Sequence, residues 1–312
     1  MLPGDRPDPA RPLRIGTRGS PLALAQAHEV RDRLMAAHGL ASEAFTVEVI
    51  RTTGDRVQDR SLSTLGGKGL FTREIEEALV AGSIDIAVHS MKDMPTLQPA
   101  GLAISALLPR EDPRDGFVGA AGSLAALPPG SVVGTSSLRR RAQILHRRPD
   151  LVVVEFRGSV QTRLRKLEEG VAAASFLAMA GLNRLGLAGL ARPVAPEEML
   201  PAVAQGAIGV EQRQGDARVA ALLAPIHDAP TGLRLAAERA FLAALDGSCL
   251  TPIAGLAELD GDRLRFRGEI LRPDGSEALA HELGGAASDG AAIGAEAAAV
   301  LRGRSGPGFF SD

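Results

Sequence analysis

Leu13-Arg-Ile-Gly-Thr-Arg-Gly-Ser-Pro-Leu-Ala-Leu-Ala-Gln26 reads as a short strand, a small-residue loop and the start of a helix. Ser20 is a natural N-cap, and Pro21 suits the first helical position, where its missing N–H costs nothing. Apolar spacing carries the helix from Pro21 to about His38. The layout recurs: Ser131-Val-Val-Gly134 is a strand, Thr135-Ser-Ser137 a loop, and 138–147 a helix. Such loops gather backbone N–H groups and the positive helix end at one point, which suits an anion. Two halves of this kind, facing each other, make a cleft with an anion site on each wall.

Further strand-like runs fall at 45–51, 84–88, 102–108, 151–156, 174–177 and 207–212. Helical periodicity at 70–81, 159–169 and 180–187 separates them, the alternation expected of an α/β chain with helices on both sheet faces. From about Thr231 the pattern changes to one helix (232–245), three strand-like runs (252–259, 263–270, 277–283) and an alanine-rich helix (290–302), an α+β arrangement. The expected domains are 13–108 with a return segment at 206–227, then 109–205, then 228–312. The proline-rich residues 1–12 read as a disordered leader, and the chain from about 303 as a disordered tail.

With 312 residues, 45% hydrophobic and 23% charged, the composition is that of a globular protein. No apolar run approaches the ~18–20 residues of a membrane span. The first residues lack the apolar core of a secretory signal, and one cysteine cannot form an intramolecular disulfide, so the expected compartment is the cytoplasm. A net charge of −2 and the absence of Tyr and Trp weigh against nucleic-acid binding by basic surface or base stacking. The only lysines are Lys68, Lys92 and Lys166.

Arg139, Arg140 and Arg141 occupy the first turn of their helix, where cations oppose the macrodipole unless an anion is bound. Thr135, Ser136 and Ser137 add hydroxyl donors beside them; the alternative is a solvated face, or pairing with nearby Asp and Glu. Phe156-Arg-Gly-Ser-Val-Gln-Thr-Arg163 repeats the idea with Arg157 and Arg163, and Arg18 and Arg184 stand at comparable places. Guanidinium forks at strand ends suit a ligand with several carboxylates or phosphates. Val88-His-Ser-Met-Lys-Asp-Met-Pro95 is the densest polar cluster; Asp93 in it is a candidate for steadying a cation or moving a proton, or merely pairs with Lys92. No spacing resembles a metal site. Cys249, in Leu-Asp-Gly-Ser-Cys-Leu-Thr-Pro, is either small apolar filler or a nucleophile.

Thr17-Arg-Gly-Ser-Pro-Leu-Ala-Leu-Ala-Gln26, Gly66-Gly-Lys-Gly-Leu-Phe71, His89-Ser-Met-Lys-Asp-Met-Pro95, Gly134-Thr-Ser-Ser-Leu-Arg-Arg140, Phe156-Arg-Gly-Ser-Val-Gln-Thr-Arg-Leu164 and Glu238-Arg-Ala-Phe-Leu-Ala-Ala-Leu-Asp-Gly-Ser-Cys249 together resemble the porphobilinogen deaminase (hydroxymethylbilane synthase) family, in order, from about Leu13 to Leu301. The resemblance implies two periplasmic-binding-protein-like α/β domains flanking a cleft, plus a smaller α+β C-terminal domain. It implies a transferase that joins four porphobilinogen molecules head to tail into hydroxymethylbilane, releasing ammonia each time. It also implies a dipyrromethane cofactor on a thioether to Cys249, Asp93 as the catalytic carboxylate, and Lys92, Thr135, Ser136, Ser137, Arg139 and Arg140 at the cofactor. Arg18, Ser20, Phe71, Ser90, Arg157, Arg163 and Arg184 match the substrate path. Thr64 stands where several relatives carry lysine in a mobile loop around 56–67, and Val171-Ala-Ala-Ala-Ser175 replaces an Asp-containing strand entry. A monomer without metal is expected. The competing readings are a two-lobed anion receptor, which needs no cysteine, and a nucleic-acid binder using helix 138–148.

Overall fold

The computed structural model describes residues 6–56, 69, 71–248 and 251–310. Cys249, Thr64, Lys68 and nearly all of the loop expected to move lie outside the described residues. The elements run β1 (Leu13–Thr17), α1 (Pro21–His38), β2 (Phe45–Val49), α2 (Thr53–Arg56), α3 (Arg73–Val80), β3 (Ile86–Ser90), β4 (Leu102–Leu107), β5 (Asp115–Gly119), β6 (Val132–Gly134), α4 (Leu138–Arg147), β7 (Val152–Val154), α5 (Val160–Glu168), β8 (Ala174–Ala178), α6 (Met179–Arg184), β9 (Arg192–Pro193), β10 (Ile208–Arg213), α7 (Ala217–Leu223), α8 (Ala229–Ala244), β11 (Ile253–Asp260), β12 (Arg263–Leu271), β13 (Ala278–Ala286) and α9 (Gly290–Arg304).

The chain is mixed α/β, with two sheet-and-helix domains and a smaller C-terminal part. The first sheet has the order β2-β1-β3-β10-β4, with β1 parallel to β2 and β3, and β10 antiparallel to β3 and β4. Helices α1 and α7 cover one face through Ala27, Val30, Leu34, Val219, Leu222 and Leu223, and α3 covers the other through Ile75 and Leu79. Burial on both faces explains why β3 opens as a continuous apolar run, Ile86-Ala-Val88, rather than an alternating one. Strand β10 falls within the compact unit that contains β1–β4, which takes in Ala207–Gly232.

The second sheet repeats the plan, in the order β7-β6-β8-β5-β9. β6 is parallel to β7 and β8, and β5 is antiparallel to β8 and β9. Phe117, Val133, Ile144 and Phe176 pack on the α4 face, while Leu177, Met179 and Leu182 meet Val160, Leu164 and Leu167 of α5 on the other. Strands β11, β12 and β13 form an antiparallel meander. Phe241 of α8 packs on Phe266 of β12 with ring centroids 4.9 Å apart.

The C-terminal part does not separate as a third compact unit; Leu233 onward clusters with Glu111–Gly206. Polar ties account for this. Glu238 on α8 accepts from the Ala204 and Ala257 amides at 2.6 and 2.8 Å, Gln143 of α4 donates to Glu269 of β12 at 2.5 Å, and the Gly255 amide donates to the Pro201 carbonyl at 3.0 Å. Among the described residues, 6–11 and 303–310 hold turns and packing contacts where disorder was expected. Pro7 is buried, and Asp8 Oδ1 closes a turn by accepting from the Ala10 and Arg11 amides. At the other end α9 runs to Arg304, and Phe309 is buried with the Arg272 guanidinium 5.0 Å over its ring.

Gly134 ends β6 against the fully buried Phe156 ring, and a Cβ there would lie 2.5 Å from ring carbons. Overpacking of this kind costs roughly 1–3 kcal/mol. Gly134→Ala is therefore expected to lower the unfolding free energy measured in urea by that amount; an unchanged free energy would show that the ring can retreat freely.

Candidate functional site

In the first unit, an open pocket is lined by Arg18, Ser20, Gln26, Phe71, His89, Ser90 and Asp93, among others. The backbone explains the convergence. Ser20 adopts an extended conformation, and its Oγ accepts from the Ala23 amide at 3.2 Å, capping α1. The cap aims the first turn of an 18-residue helix, with no acidic residue in it, at the end of β1. Beside it, β3 ends at Ser90 and turns through Met91–Asp93, which places the Asp93 carboxylate on the pocket wall, half-buried. The turn is pinned by the Met91 amide, which donates to the Ala207 carbonyl at 3.0 Å.

Five of the residues singled out in the sequence, Arg18, Ser20, Phe71, Ser90 and Asp93, thus meet in one cavity. Arg18 lies over the Phe71 ring, 4.3 Å from its centroid, so the ring orients the guanidinium through a cation–π contact. Gln26, buried on α1, donates to Ser90 Oγ at 2.8 Å and leaves the hydroxyl proton for another acceptor. His89 faces the α3 side of the sheet and pairs with Glu211 of β10 at 3.1 Å. The pocket therefore holds a cation, hydroxyls and a carboxylate, a set that suits a ligand carrying both acid groups and an amine.

The remaining described candidates lie in the second unit, apart from Lys92, which precedes Asp93 in its turn. Ser137 caps α4 by accepting from the Arg140 amide. Arg139 and Arg140 are buried and both pair with Asp115 at the start of β5, at 2.8 and 2.6 Å. Arg139 also donates to Gln143 and to the Leu200 carbonyl, and Arg140 to the Phe176 carbonyl. Of the alternatives open in the sequence, pairing with an acid is what the structure displays for these two. Arg141 is exposed. Burial works to raise the Asp115 carboxyl, but the two guanidiniums, with hydrogen bonds from Arg140 and Gln205, outweigh it and hold the group well below the usual carboxylate range. Thr135 is buried at the end of β6, its Oγ1 accepting from the Ser137 amide, and Ser136 Oγ accepts from the Phe156 amide. Arg163 Nε donates to the Gly158 carbonyl, Arg157 offers its carbonyl to Lys166, and Arg184 ends α6 with a bond to the Gly206 carbonyl.

A family model described as "Porphobilinogen deaminase, dipyromethane cofactor binding domain" matches residues 13–221, and "Porphobilinogen deaminase, C-terminal domain" matches 233–303. The chain belongs to the porphobilinogen deaminase family. A curated porphobilinogen deaminase from Paracoccus denitrificans (strain Pd 1222) is 70% identical over 306 residues, covering 97% of this chain and 98% of its own. One from Nitrobacter winogradskyi is 57% identical over 299 residues, covering 95% of each. Among solved structures, the second substrate binding domain of a putative amino acid ABC transporter from Streptococcus pneumoniae overlays 68% of this chain and 90% of its own with a TM-score of 0.41 and 12% identity, a level that decides nothing.

The residues of the second unit fit the family's dipyrromethane. Its carboxylates call for N–H and O–H donors, and Arg139 Nε is a buried donor without a hydrogen-bond acceptor. The hydroxyls of Ser136 and Ser137, half-buried on the approach to α4, accept backbone N–H bonds and keep their own protons to donate.

The sequence reading missed Asp115, Gln26 and Glu211. Only Glu211 carried a signal, as an acid inside an apolar strand. Asp115→Asn leaves two buried guanidiniums facing a neutral amide, and the expected loss is about 3–5 kcal/mol at pH 7 in urea unfolding. The carboxyl value is depressed on folding. Its stabilisation is therefore present above the unfolded value, about 3.9, and is lost as pH falls through the folded one. The gap between variant and wild type should narrow in acid; a constant gap would mean the charge is not what stabilises.

Proposed function

We propose that the Asp93 pocket is where this transferase, which joins four porphobilinogen molecules into hydroxymethylbilane, binds and activates each incoming unit. The observation that carries this is the meeting of Arg18, Ser20, Ser90 and Asp93 in one cavity. Porphobilinogen is a pyrrole with acetate, propionate and aminomethyl arms. Arg18, held by Phe71, pairs with a carboxylate arm, and the capped end of α1 adds dipole and hydroxyl support. The protonated amine is drawn to Asp93. When the C–N bond breaks, its electron pair leaves with nitrogen as ammonia, and the positive charge left on the ring and methylene faces the carboxylate. A fixed charge in a half-buried site stabilises that cation without reorganising. Asp93 can then accept the proton that the joined ring must lose and pass it to solvent.

Cys249 would carry the dipyrromethane, with Lys92, Thr135, Ser136, Ser137, Arg139 and Arg140 as its holding residues. When bound, the group supplies a permanent primer whose free ring carbon is the nucleophile. Arg157, Arg163 and Arg184 are assigned to further carboxylates along the substrate path. No helix among the described residues is long and apolar enough to cross a membrane. A cytoplasmic monomer acting on a small molecule, not on nucleic acid, is the reading that a single cysteine and a net charge of −2 support.

Asp93→Asn is expected to keep the covalent adduct in the intact mass while kcat falls by about 10²–10³; retained turnover would remove Asp93 from this role. Cys249→Ser is expected to lose a two-pyrrole mass increment along with all turnover. An active enzyme at the bare sequence mass would overturn the anchor.

A further inference from the structure

Beneath the pocket lies a buried ionisable cluster that the chemistry above does not use. His89 of β3 is 5% exposed and Glu211 of β10 is fully buried, with 3.1 Å between Nε2 and Oε2. The register sets Glu211 opposite Ala87 and Gly209 opposite His89, so acid and imidazole share the sheet face turned toward α3. Glu76 of α3 faces the same place. Burial lifts the Glu76 carboxyl above the usual range against the pull of Thr72; the Glu211 charge adds to the rise and His89 works against it. The three groups therefore lie within each other's fields. Oε1 of Glu76 and Oε1 of Glu211 are both buried without a hydrogen-bond partner.

Burying such a set is disfavoured relative to an apolar patch of the same size. Its neighbours give it a use. His89 itself lines the pocket and leads directly into Ser90 and Asp93; Thr72, one helical turn before Glu76, lines the pocket as well. A strand end held only by main-chain bonds can slide or twist by fractions of an ångström, and a misplacement near 1 Å can cost about 100-fold in rate. A side-chain tie across β3 and β10, placed at the last turn before the catalytic carboxylate, suppresses that motion.

We propose that His89 and Glu211 are positioning residues for the reaction: their buried hydrogen bond locks the end of β3 to β10 and so sets the place of Asp93 in the pocket. This rests on the assignment of Asp93 above and adds to it a determinant of rate that touches neither substrate nor cofactor through Glu211.

The test compares Glu211→Ala with Glu211→Gln in the full-length holoenzyme, with the adduct verified by intact mass. Glutamine keeps an oxygen acceptor for the imidazole; alanine does not. Glu211→Ala should lower kcat at least 10-fold with KM within 2-fold, and Glu211→Gln should restore kcat to within 3-fold of wild type. Amide exchange over 86–94 should quicken in the alanine variant and return toward wild type in the glutamine variant. A purely structural role predicts a lower melting temperature with kcat per folded molecule unchanged, and that result overturns the proposal. So does an equal fall in kcat for both variants. If Glu211→Ala does not fold, His89→Ala against His89→Gln, which keeps a donor near the Nε2 position, makes the same comparison with the same outcomes. Asp93→Asn is the separate arm: its retained turnover would sink the catalytic assignment, whereas a dead Asp93→Asn beside a fully active Glu211→Ala sinks only the positioning role.

Discussion

Strand β10 has to lie antiparallel between β3 and β4, and the candidate site depends on that pairing. Through Ile208 to Glu211 it supplies the partner along one edge of β3, while β1 supplies the other. With both faces under helices, a main-chain group of β3 left without its partner would be buried and unsatisfied, at a cost of about 1–3 kcal/mol each. The register is therefore fixed, and it delivers Ser90 and Asp93 to the same edge as the end of β1 and the start of α1. The Ala207 carbonyl, immediately before β10, then holds the first amide of the Asp93 turn.

The two sheets meet this constraint alike. Each is three parallel strands followed by an antiparallel one and then a fifth strand antiparallel to that, and in each the fourth strand bears a fully buried acid: Glu211 on β10 and Asp115 on β5. The partners differ. Glu211 meets an imidazole on the neighbouring strand, whereas Asp115 meets two guanidiniums from the first turn of α4. The second arrangement also resolves the apparent mismatch of cations at a helix N-terminus, because the acid from β5 offsets the dipole that those arginines oppose. It holds both arginine side chains in place and leaves Arg139 Nε as an unmatched donor.

Local chemistry made much of the fold legible. Ser20, Ser137 and Ser159 cap their helices by accepting from the third amide onward, the pattern that residue type alone suggests. Strand β5 was not legible, because it opens on Asp-Gly, and its acid becomes tolerable inside a sheet only through arginines about 25 positions away. The burial of Phe309 was hidden for the same reason: among glycines it looks like a loop residue until Arg272 covers it. Within the site, the motif residues of the first unit could be quoted from the chain, but their supports could not. Glu211 is 122 residues from His89, and Gln26 is 64 from Ser90. No local period encodes separations of that size.

The late arrival of β10 has a consequence during synthesis. When β4 leaves the ribosome, β3 has its β1 partner but an open second edge, and that edge stays open until Arg213 has been made. At translation rates of roughly 5–20 residues per second the interval is on the order of 5–20 s. For that time the nascent chain displays an apolar strand edge of the kind that templates aggregation. The last residue of that edge is Ser90, three short of Asp93, so the segment most exposed to misassembly in the newborn chain is the one that leads into the candidate site.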